Sequence, residues 1–191
     1  MAKQFPEISP ALREFILRQR IFFTASAANT GRVNVSPRGT DMLRIPGPNA
    51  AFYLDLTGSG NETAAHLRAT GRLTLMLCAF EGAPMILRLY GAGRVLRRGG
   101  PEYTRLLEAE YGGEEPVGAR QMVWLDIDLV QTSCGFGVPL FDHAGERPTL
   151  ARWAEAKEKQ EGLEAYRRLK NTRSIDGLPT GLFEEDPAEA R

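Results

Sequence analysis

The stretch YLDLTGSGNETAAHLRATG, from Tyr53 to Gly71, limits the fold most strongly, because an apolar run, a glycine-rich turn and a helix follow one another directly. The apolar run predicts a buried strand, and the glycines predict a sharp change of direction into the helix. A helix that begins beside Ser59, Asn61 and Thr63 offers free backbone N–H groups, hydroxyls and the positive end of its dipole, which suit a bound phosphate. An ordinary capped helix that ends at Gly71 explains the same pattern.

Six extended segments run along the chain, with only two helices between them. The longest, residues 117–133, alternates apolar side chains with Asp126, Asp128 and other polar residues, as in a strand with one buried face. In residues 85–96, Gly91 and Gly93 predict a bulge or bend of the kind that closes a barrel. Short turns and few helices favour a mainly β fold, a closed or split antiparallel barrel, over a doubly wound sheet. The other segments are residues 21–28, 32–37, 50–56 and 72–79.

Helices are predicted on both sides of the strand series. Ser9 followed by proline predicts a short N-terminal amphipathic helix, and a second helix is predicted at residues 101–111. A third extends from about residue 150 to 169 and is weakened by Gly162. We therefore divide the chain into a barrel domain, residues 1–140, and a C-terminal helix and tail, residues 141–191, packed on the barrel or on a partner. The cations expected on the solvated face of the third helix are Lys157, Lys159, Arg167, Arg168 and Lys170.

Composition narrows the class of protein. Lys plus Arg and Asp plus Glu are balanced at 24 each, so neither nucleic acid nor an anionic membrane surface is expected as a partner. Cys78 and Cys134 lack metal-site spacing; we expect no metal, no disulfide and two buried small apolar side chains. No apolar run approaches the ~20 residues of a membrane span, and the N-terminus resembles no secretion signal, so a cytoplasmic location is expected.

Three segments, IFFTASAANTGRVNVSPRG, FYLDLTGSGNETAAHL and LTLMLCAFEGAPMILRLYGAGRV, together resemble the FMN-binding split-barrel superfamily, specifically pyridoxamine 5′-phosphate oxidase-like proteins. The resemblance covers roughly residues 21–133. It implies a six-stranded antiparallel split β-barrel with a C-terminal helical extension. It also implies a homodimer that binds FMN in clefts at the subunit interface.

Carried over by position, the resemblance assigns the cofactor contacts to two strands and one helix start. The second strand would supply backbone contacts to the flavin and a basic side chain. The helix start would hold the phosphate, and an arginine before the strand glycine of LRLYG would add a second cation. The residues implied to bind the cofactor are Val35, Ser36, Arg38, Asn61, Thr63 and Arg88.

The chain departs from the family pattern at the helix start. Asn61, Glu62 and Thr63 stand where the family has serine, arginine and lysine, so two cations are missing there. The phosphate would then depend on helix N–H groups, hydroxyls, Arg38 and Arg88, and Glu62→Arg is expected to tighten FMN binding. The C-terminal arginine–leucine–histidine signature that handles substrate in the true oxidase has no counterpart in this chain.

These features predict an FMN-dependent oxidoreductase acting on an unidentified small substrate. Two alternatives stay open: a non-enzymatic flavin- or haem-binding storage or sensor protein, and a deazaflavin-dependent reductase. No catalytic side chain is assigned. His66 is expected as a helix-face residue, Trp124 as a core residue, and Trp153 as an interface or core residue.

Overall fold

The computed structural model describes residues 2–184 and shows one antiparallel sheet of eight strands with five α-helices. The strands are β1 (Lys3–Phe5), β2 (Ile21–Ser26), β3 (Asn34–Gly39), β4 (Leu43–Gly47), β5 (Ala50–Leu56), β6 (Arg72–Cys78), β7 (Ile86–Arg97) and β8 (Ala119–Ser133). The helices are α1 (Pro10–Arg18), α2 (Glu62–Thr70), α3 (Pro101–Tyr111), α4 (Thr149–Gln160) and α5 (Leu163–Lys170).

The expected mainly β antiparallel fold is confirmed, and the sheet has two strands more than the six expected. Its order is β3-β2-β6-β7-β8-β5-β4, and β1 pairs with β8. β1 is only three residues long and shows no alternation. β4 contains Pro46 and Gly47, residues that favour a turn, but it lies at the sheet edge, where a proline can stand without a ladder partner on its outer side.

Apolar side chains of the curled sheet form two clusters. The larger includes Phe22, Leu75 and Leu89 and is covered by α1, whose Phe15 and Ile16 are buried in it. The Ser9 hydroxyl accepts a hydrogen bond from the N–H of Leu12 at 3.3 Å, so the predicted N-terminal cap is confirmed. The smaller cluster lies under α3 and contains Phe52, Leu54, Leu96, Tyr103, Leu106, Ala119 and Met122.

A bulge at Gly91 bends the longest strand pair, as the sequence predicted. The register of β7 against β8 shifts between Tyr90 and Gly91. A Cβ atom at Gly91 would overlap the carbonyl oxygen of Asp126, so the two backbones approach too closely for any side chain.

The C-terminal part differs from the expected single helix over 150–169. Gly162 adopts a φ of 77° and separates α4 from α5. Trp153 of α4 packs edge-to-face on Tyr166 of α5, with ring centroids 5.0 Å apart. The segment after α5 contacts the loop before β3, the loop before α2 and α2 itself, as far as residue 184. The rest of the predicted tail lies outside the described residues. No helix within residues 2–184 is long and apolar enough to cross a membrane.

We predict that Gly91→Ala destabilises the fold, because the added Cβ overlaps backbone that cannot move without opening the β7–β8 ladder. The expected loss is about 3 kcal/mol in the free energy of unfolding, the upper part of the range for overpacking. Urea denaturation would measure it. Gly47→Ala is the matched control, since a Cβ there meets nothing within 4 Å, and its stability should stay close to that of the unchanged protein. Equal stability of the two variants would contradict the close approach of the backbones at Gly91 and Asp126.

Candidate functional site

A cavity of about 1040 Å³ lies where β3, the end of β5 and the start of α2 meet the C-terminal segment. Ser36 and Arg38 line it from β3, and Asn61 and Thr63 line it from the helix start. The structure therefore brings together four of the six residues that the resemblance implied. A second cavity, of about 950 Å³, shares Gly39, Glu146 and Arg147 with the first.

Side-chain hydrogen bonds join β3 to the helix start. The Ser36 hydroxyl donates to Asn34 Oδ1 at 3.2 Å, and Asn34 Nδ2 donates to Thr63 Oγ1 at 3.2 Å. β3 pairs only with β2, so one side of its backbone is free of sheet pairing in the described structure. Its unpaired backbone groups are available to a flat polar ligand.

The buried carboxylate of Asp55 organises the floor of the cavity. Arg38 Nη1 donates to Oδ1 at 2.6 Å, and Arg120 Nη2 donates to Oδ2 at 2.7 Å. Gln121 Nε2 donates to the same Oδ2 and to Asn61 Oδ1, both at 2.8 Å. Arg120 also donates to the carbonyl oxygen of Gly60 at 2.9 Å. These bonds tie three strands to the loop that begins α2; we call Asp55, Arg38, Arg120 and Gln121 the Asp55 cluster.

The Asp55 cluster shifts the ionisation of its members. Burial raises the pKa of Asp55, but Arg120 and Arg38 outweigh it and hold the pKa below its ordinary value. Burial lowers the pKa of Arg38, yet Asp55 and Tyr53 more than compensate, and the net shift is upward. Burial raises the pKa of Tyr53 to about 12, against the lowering effect of Arg38. All three groups therefore keep their ordinary charge states at neutral pH.

The start of α2 is not capped by its own side chain. Asn61, the N-cap residue, makes no side-chain cap bond; its amide instead accepts from Gln121 and donates to the carbonyl oxygen of Asn171 at 3.3 Å. The carboxylate of Glu62 accepts from the N–H of Ile175 at 3.0 and 3.2 Å. Glu62 thus holds the C-terminal segment, so Glu62→Arg would remove this contact as well as add a cation.

Two polar atoms at the cavity match a polar ligand. Arg38 Nε is buried and has no hydrogen-bond partner, and the buried Tyr53 hydroxyl has none that meets hydrogen-bond geometry, although Thr24 lies near enough to lower its pKa. The Arg38 guanidinium carbon lies 4.7 Å from the centroid of the Tyr53 ring. Buried donors without partners are costly, and a ligand with acceptor oxygens or ring nitrogens would satisfy them. The cavity therefore fits a ligand that carries acceptor oxygens or ring nitrogens, as a flavin does.

The side chains of two implied residues do not line the cavity. Val35 is 60% exposed on the other face of β3 from Ser36. Arg88 pairs in register with Met76 and Gln131 and donates to the Ser133 hydroxyl at 3.2 Å. The sheet lies between Arg88 and the cavity within one chain, because alternate residues of a strand face opposite sides.

Burial distinguishes four other residues that the sequence singled out. His66 is buried, and its Nδ1 lies 3.1 Å from the Ser26 hydroxyl, so it is a partnered helix residue. Trp124 is half-buried and stacks on Phe52 at the rim of the smaller cluster. Cys78 is buried as expected, but Cys134 is exposed, because it follows the last residue of β8. Among the described residues, no group of three His, Cys, Asp or Glu side chains is placed to hold a metal ion.

Arg167 corrects the expectation of a uniformly solvated basic face. Its guanidinium is buried and donates to the Thr57 hydroxyl and to the carbonyl oxygen of Ala119, each at 2.8 Å. Sequence periodicity could not predict the burial of Arg167, because its hydrogen-bond partners lie far away in sequence. Asp55 did carry a signal: it is the one charged residue in the otherwise apolar strand AAFYLDL.

The curled antiparallel sheet and the cavity at the start of α2 define a protein of the split-barrel class. The sequence model of the pyridoxamine 5′-phosphate oxidase family matches residues 8–134. The chain is 40% identical over 190 residues to the pyridoxamine 5′-phosphate oxidase family protein ustO of Aspergillus flavus, covering 92% of this chain and 76% of that protein. The chain therefore belongs to the pyridoxamine 5′-phosphate oxidase family.

Solved structures support the fold. The HupZ protein of Group A Streptococcus superposes with a TM-score of 0.52 at 15% identity, over 64% of this chain and 91% of that one. A candidate pyridoxamine 5′-phosphate oxidase of Lactobacillus delbrueckii superposes with a TM-score of 0.51 at 16% identity, over 66% and 94%. At these identities the likeness establishes the split-barrel fold.

We predict that Asp55→Asn costs about 3–5 kcal/mol in the free energy of unfolding at pH 7, since it leaves two arginines without their buried partner. The pKa of Asp55 is lowered in the folded state, so its stabilising effect is complete above the unfolded value of about 4 and is lost as pH falls through the folded value. The stability difference between the two proteins should therefore narrow below about pH 4. Urea denaturation of both proteins at pH 7 and at pH 3 measures the loss of stability and its dependence on pH.

Asp128→Asn is the control for this prediction, because Asp128 is exposed on β8. Its effect at pH 7 should stay within about 0.5 kcal/mol. A stability difference for Asp55→Asn that does not change between pH 7 and pH 3 would contradict the charged state assigned to Asp55.

Proposed function

We propose that this protein is an FMN-dependent oxidoreductase that acts on a small substrate. The main support is the cavity itself, in which an uncapped helix start and an edge strand meet a half-buried arginine, Arg38, whose Nε atom is buried and unpartnered. Membership of the pyridoxamine 5′-phosphate oxidase family supports the same proposal. When bound, FMN would supply the hydride or electron transfer.

The chain's own residues would bind and orient the cofactor. Asn61, Thr63 and the first N–H groups of α2 would hold the phosphate at the positive end of the helix dipole. Ser36 and the free backbone edge of β3 would face the flavin ring, and Arg38, fixed by Asp55, would donate from Nε. The fixed position of Arg38 matters because a preoriented donor stabilises developing negative charge without reorganisation.

We place the substrate in the adjoining cavity. It shares Gly39, Glu146 and Arg147 with the proposed cofactor cavity, so a molecule bound there lies next to the end of β3. Phe80 and Phe141 contribute apolar surface, with ring centroids 5.5 Å apart. A small substrate with an apolar body fits these walls.

We also propose a homodimer. Val35 in the edge strand β3 is 60% exposed and Val33, just before that strand, is 69% exposed, which is unusual for apolar side chains of a stable monomer. Arg88, which faces away from the cavity of its own chain, would contribute only in such an assembly. Neither a membrane nor nucleic acid is proposed as a partner.

A non-enzymatic flavin- or haem-binding protein is the second candidate. It is favoured by Asp55, because the one buried carboxylate at the cavity among the described residues is held by two arginines and is therefore a poor proton acceptor. A deazaflavin would use the same cavity. Bound flavin that neither nicotinamide donors reduce nor oxygen reoxidises would favour storage or sensing over catalysis.

We predict that FMN binds with visible flavin absorbance and raises the melting temperature. At a hundredfold excess over Kd the stabilisation is about 2.7 kcal/mol, or roughly 5–10 °C for a domain of this size. Absorbance titration and thermal denaturation with FMN and with deazaflavin measure this. The absence of both an absorbance change and a thermal shift with FMN would contradict the proposal.

Thr63→Val tests the position of the cofactor. It keeps a β-branched side chain but removes the hydroxyl at the helix start, and we expect FMN binding to weaken about two- to tenfold. Thr104→Val is the matched control, since Thr104 is exposed on α3, away from the cavity. Equal FMN affinity in the two variants would contradict the placement of the phosphate at the start of α2.

A further inference from the structure

The C-terminal segment forms one wall of the cavity at the helix start. Lys170, Arg173, Ser174 and Ile175 line the same cavity as Asn61 and Thr63. They lie more than 100 residues from the helix start in sequence. The barrel cavity is therefore completed by a part of the chain outside the barrel.

Buried hydrogen bonds hold this segment against the helix start. Asn171 is fully buried; its side-chain Nδ2 donates to the carbonyl oxygen of Gly58 at 3.0 Å, and its backbone carbonyl oxygen accepts from Asn61 Nδ2 at 3.3 Å. Arg167, one turn earlier, is bound to Thr57 and Ala119. These contacts are too many and too buried for an accidental surface association.

The same segment contributes two cations, Lys170 and Arg173, to the cavity at the helix start, where α2 itself has none at positions 62 and 63. Lys170 has no hydrogen-bond or ionic partner among the described residues, and Arg173 uses one Nη atom on the carbonyl oxygen of Gly177 at 2.9 Å. The Ser174 hydroxyl accepts from the N–H of Leu178 at 3.0 Å, which leaves its proton free to donate. Glu62 carries the acidic charge at the helix start, and its carboxylate accepts a hydrogen bond from the N–H of Ile175.

We propose that Lys170, Arg173 and Ser174 form the second half of a phosphate site whose first half is the start of α2. The ligand class is a phosphomonoester, and FMN is the member that the proposed function supplies, so the inference rests on that function. The cations that α2 lacks at positions 62 and 63 are supplied from the C-terminal segment. The unpartnered, buried Tyr53 hydroxyl in the same cavity independently indicates a ligand.

The test compares FMN with riboflavin, which has the same ring and ribityl chain but no phosphate. The unchanged protein should bind FMN more tightly. In Lys170→Ala/Arg173→Ala, FMN binding should weaken at least about tenfold, the loss expected for a charge-assisted hydrogen bond. Riboflavin binding should change less than about twofold. Fluorescence titration measures both affinities.

Arg105→Ala/Lys159→Ala is the charge-matched control. Both residues are exposed and line none of the cavities described above, so the affinities for FMN and riboflavin should remain as in the unchanged protein. Higher salt should weaken FMN binding to the unchanged protein and to this control more than to Lys170→Ala/Arg173→Ala, because phosphate recognition by exposed cations is screened.

An unchanged ratio of FMN to riboflavin affinity in Lys170→Ala/Arg173→Ala overturns the inference and leaves the proposed function standing. Failure of the unchanged protein to bind FMN overturns both. If Lys170→Ala/Arg173→Ala binds neither flavin, the charge-retaining variant Lys170→Arg/Arg173→Lys distinguishes a role in phosphate binding from a structural role. Retained FMN preference in that variant supports the phosphate role, and loss of both flavins overturns it in favour of a purely structural segment.

Discussion

Buried ion pairing of Asp55 with Arg38 and Arg120 holds the elements around the cavity in place. A carboxylate with 1% exposure is tolerated only because two guanidinium groups and the amide of Gln121 satisfy its oxygens. Its partners come from β3 and β8, and Arg120 extends the contact to Gly60. One carboxylate thus sets the relative positions of an edge strand, the sheet and the start of α2.

The C-terminal segment is attached to the same region. Arg167 bonds to Thr57 and Ala119, and Asn171 bonds to Gly58, so the loop before α2 is held both by the Asp55 cluster and by the tail. A loop fixed on two sides keeps its backbone N–H groups in place for a ligand, which lowers the entropic cost of binding. The cavity is therefore formed jointly by the barrel and by a segment that lies beyond the matched family model, which ends at residue 134.

Local rules predicted the elements whose causes are local. Ser9 and Pro10 begin α1, Gly71 in the left-handed conformation ends α2, and Gly91 marks the bulge in β7. β4 was missed because the favourable pairing with β5 is tertiary and overrides the turn preference of Pro46 and Gly47. Arg167 was misplaced on a solvated face because a helical charge pattern carries no record of which face the fold covers.

The amino-acid sequence was sufficient to predict the antiparallel fold, the family and four of the residues that line the cavity, because periodicity, turn chemistry and motif order are properties of neighbouring residues. The folded chain was needed to show that Arg88 lies behind the sheet and that Glu62 holds the tail. It was also needed to show that Lys170 and Arg173 line the same cavity as the helix start. Strand register and long-range docking set these positions, and both depend on contacts between residues that are far apart in the chain.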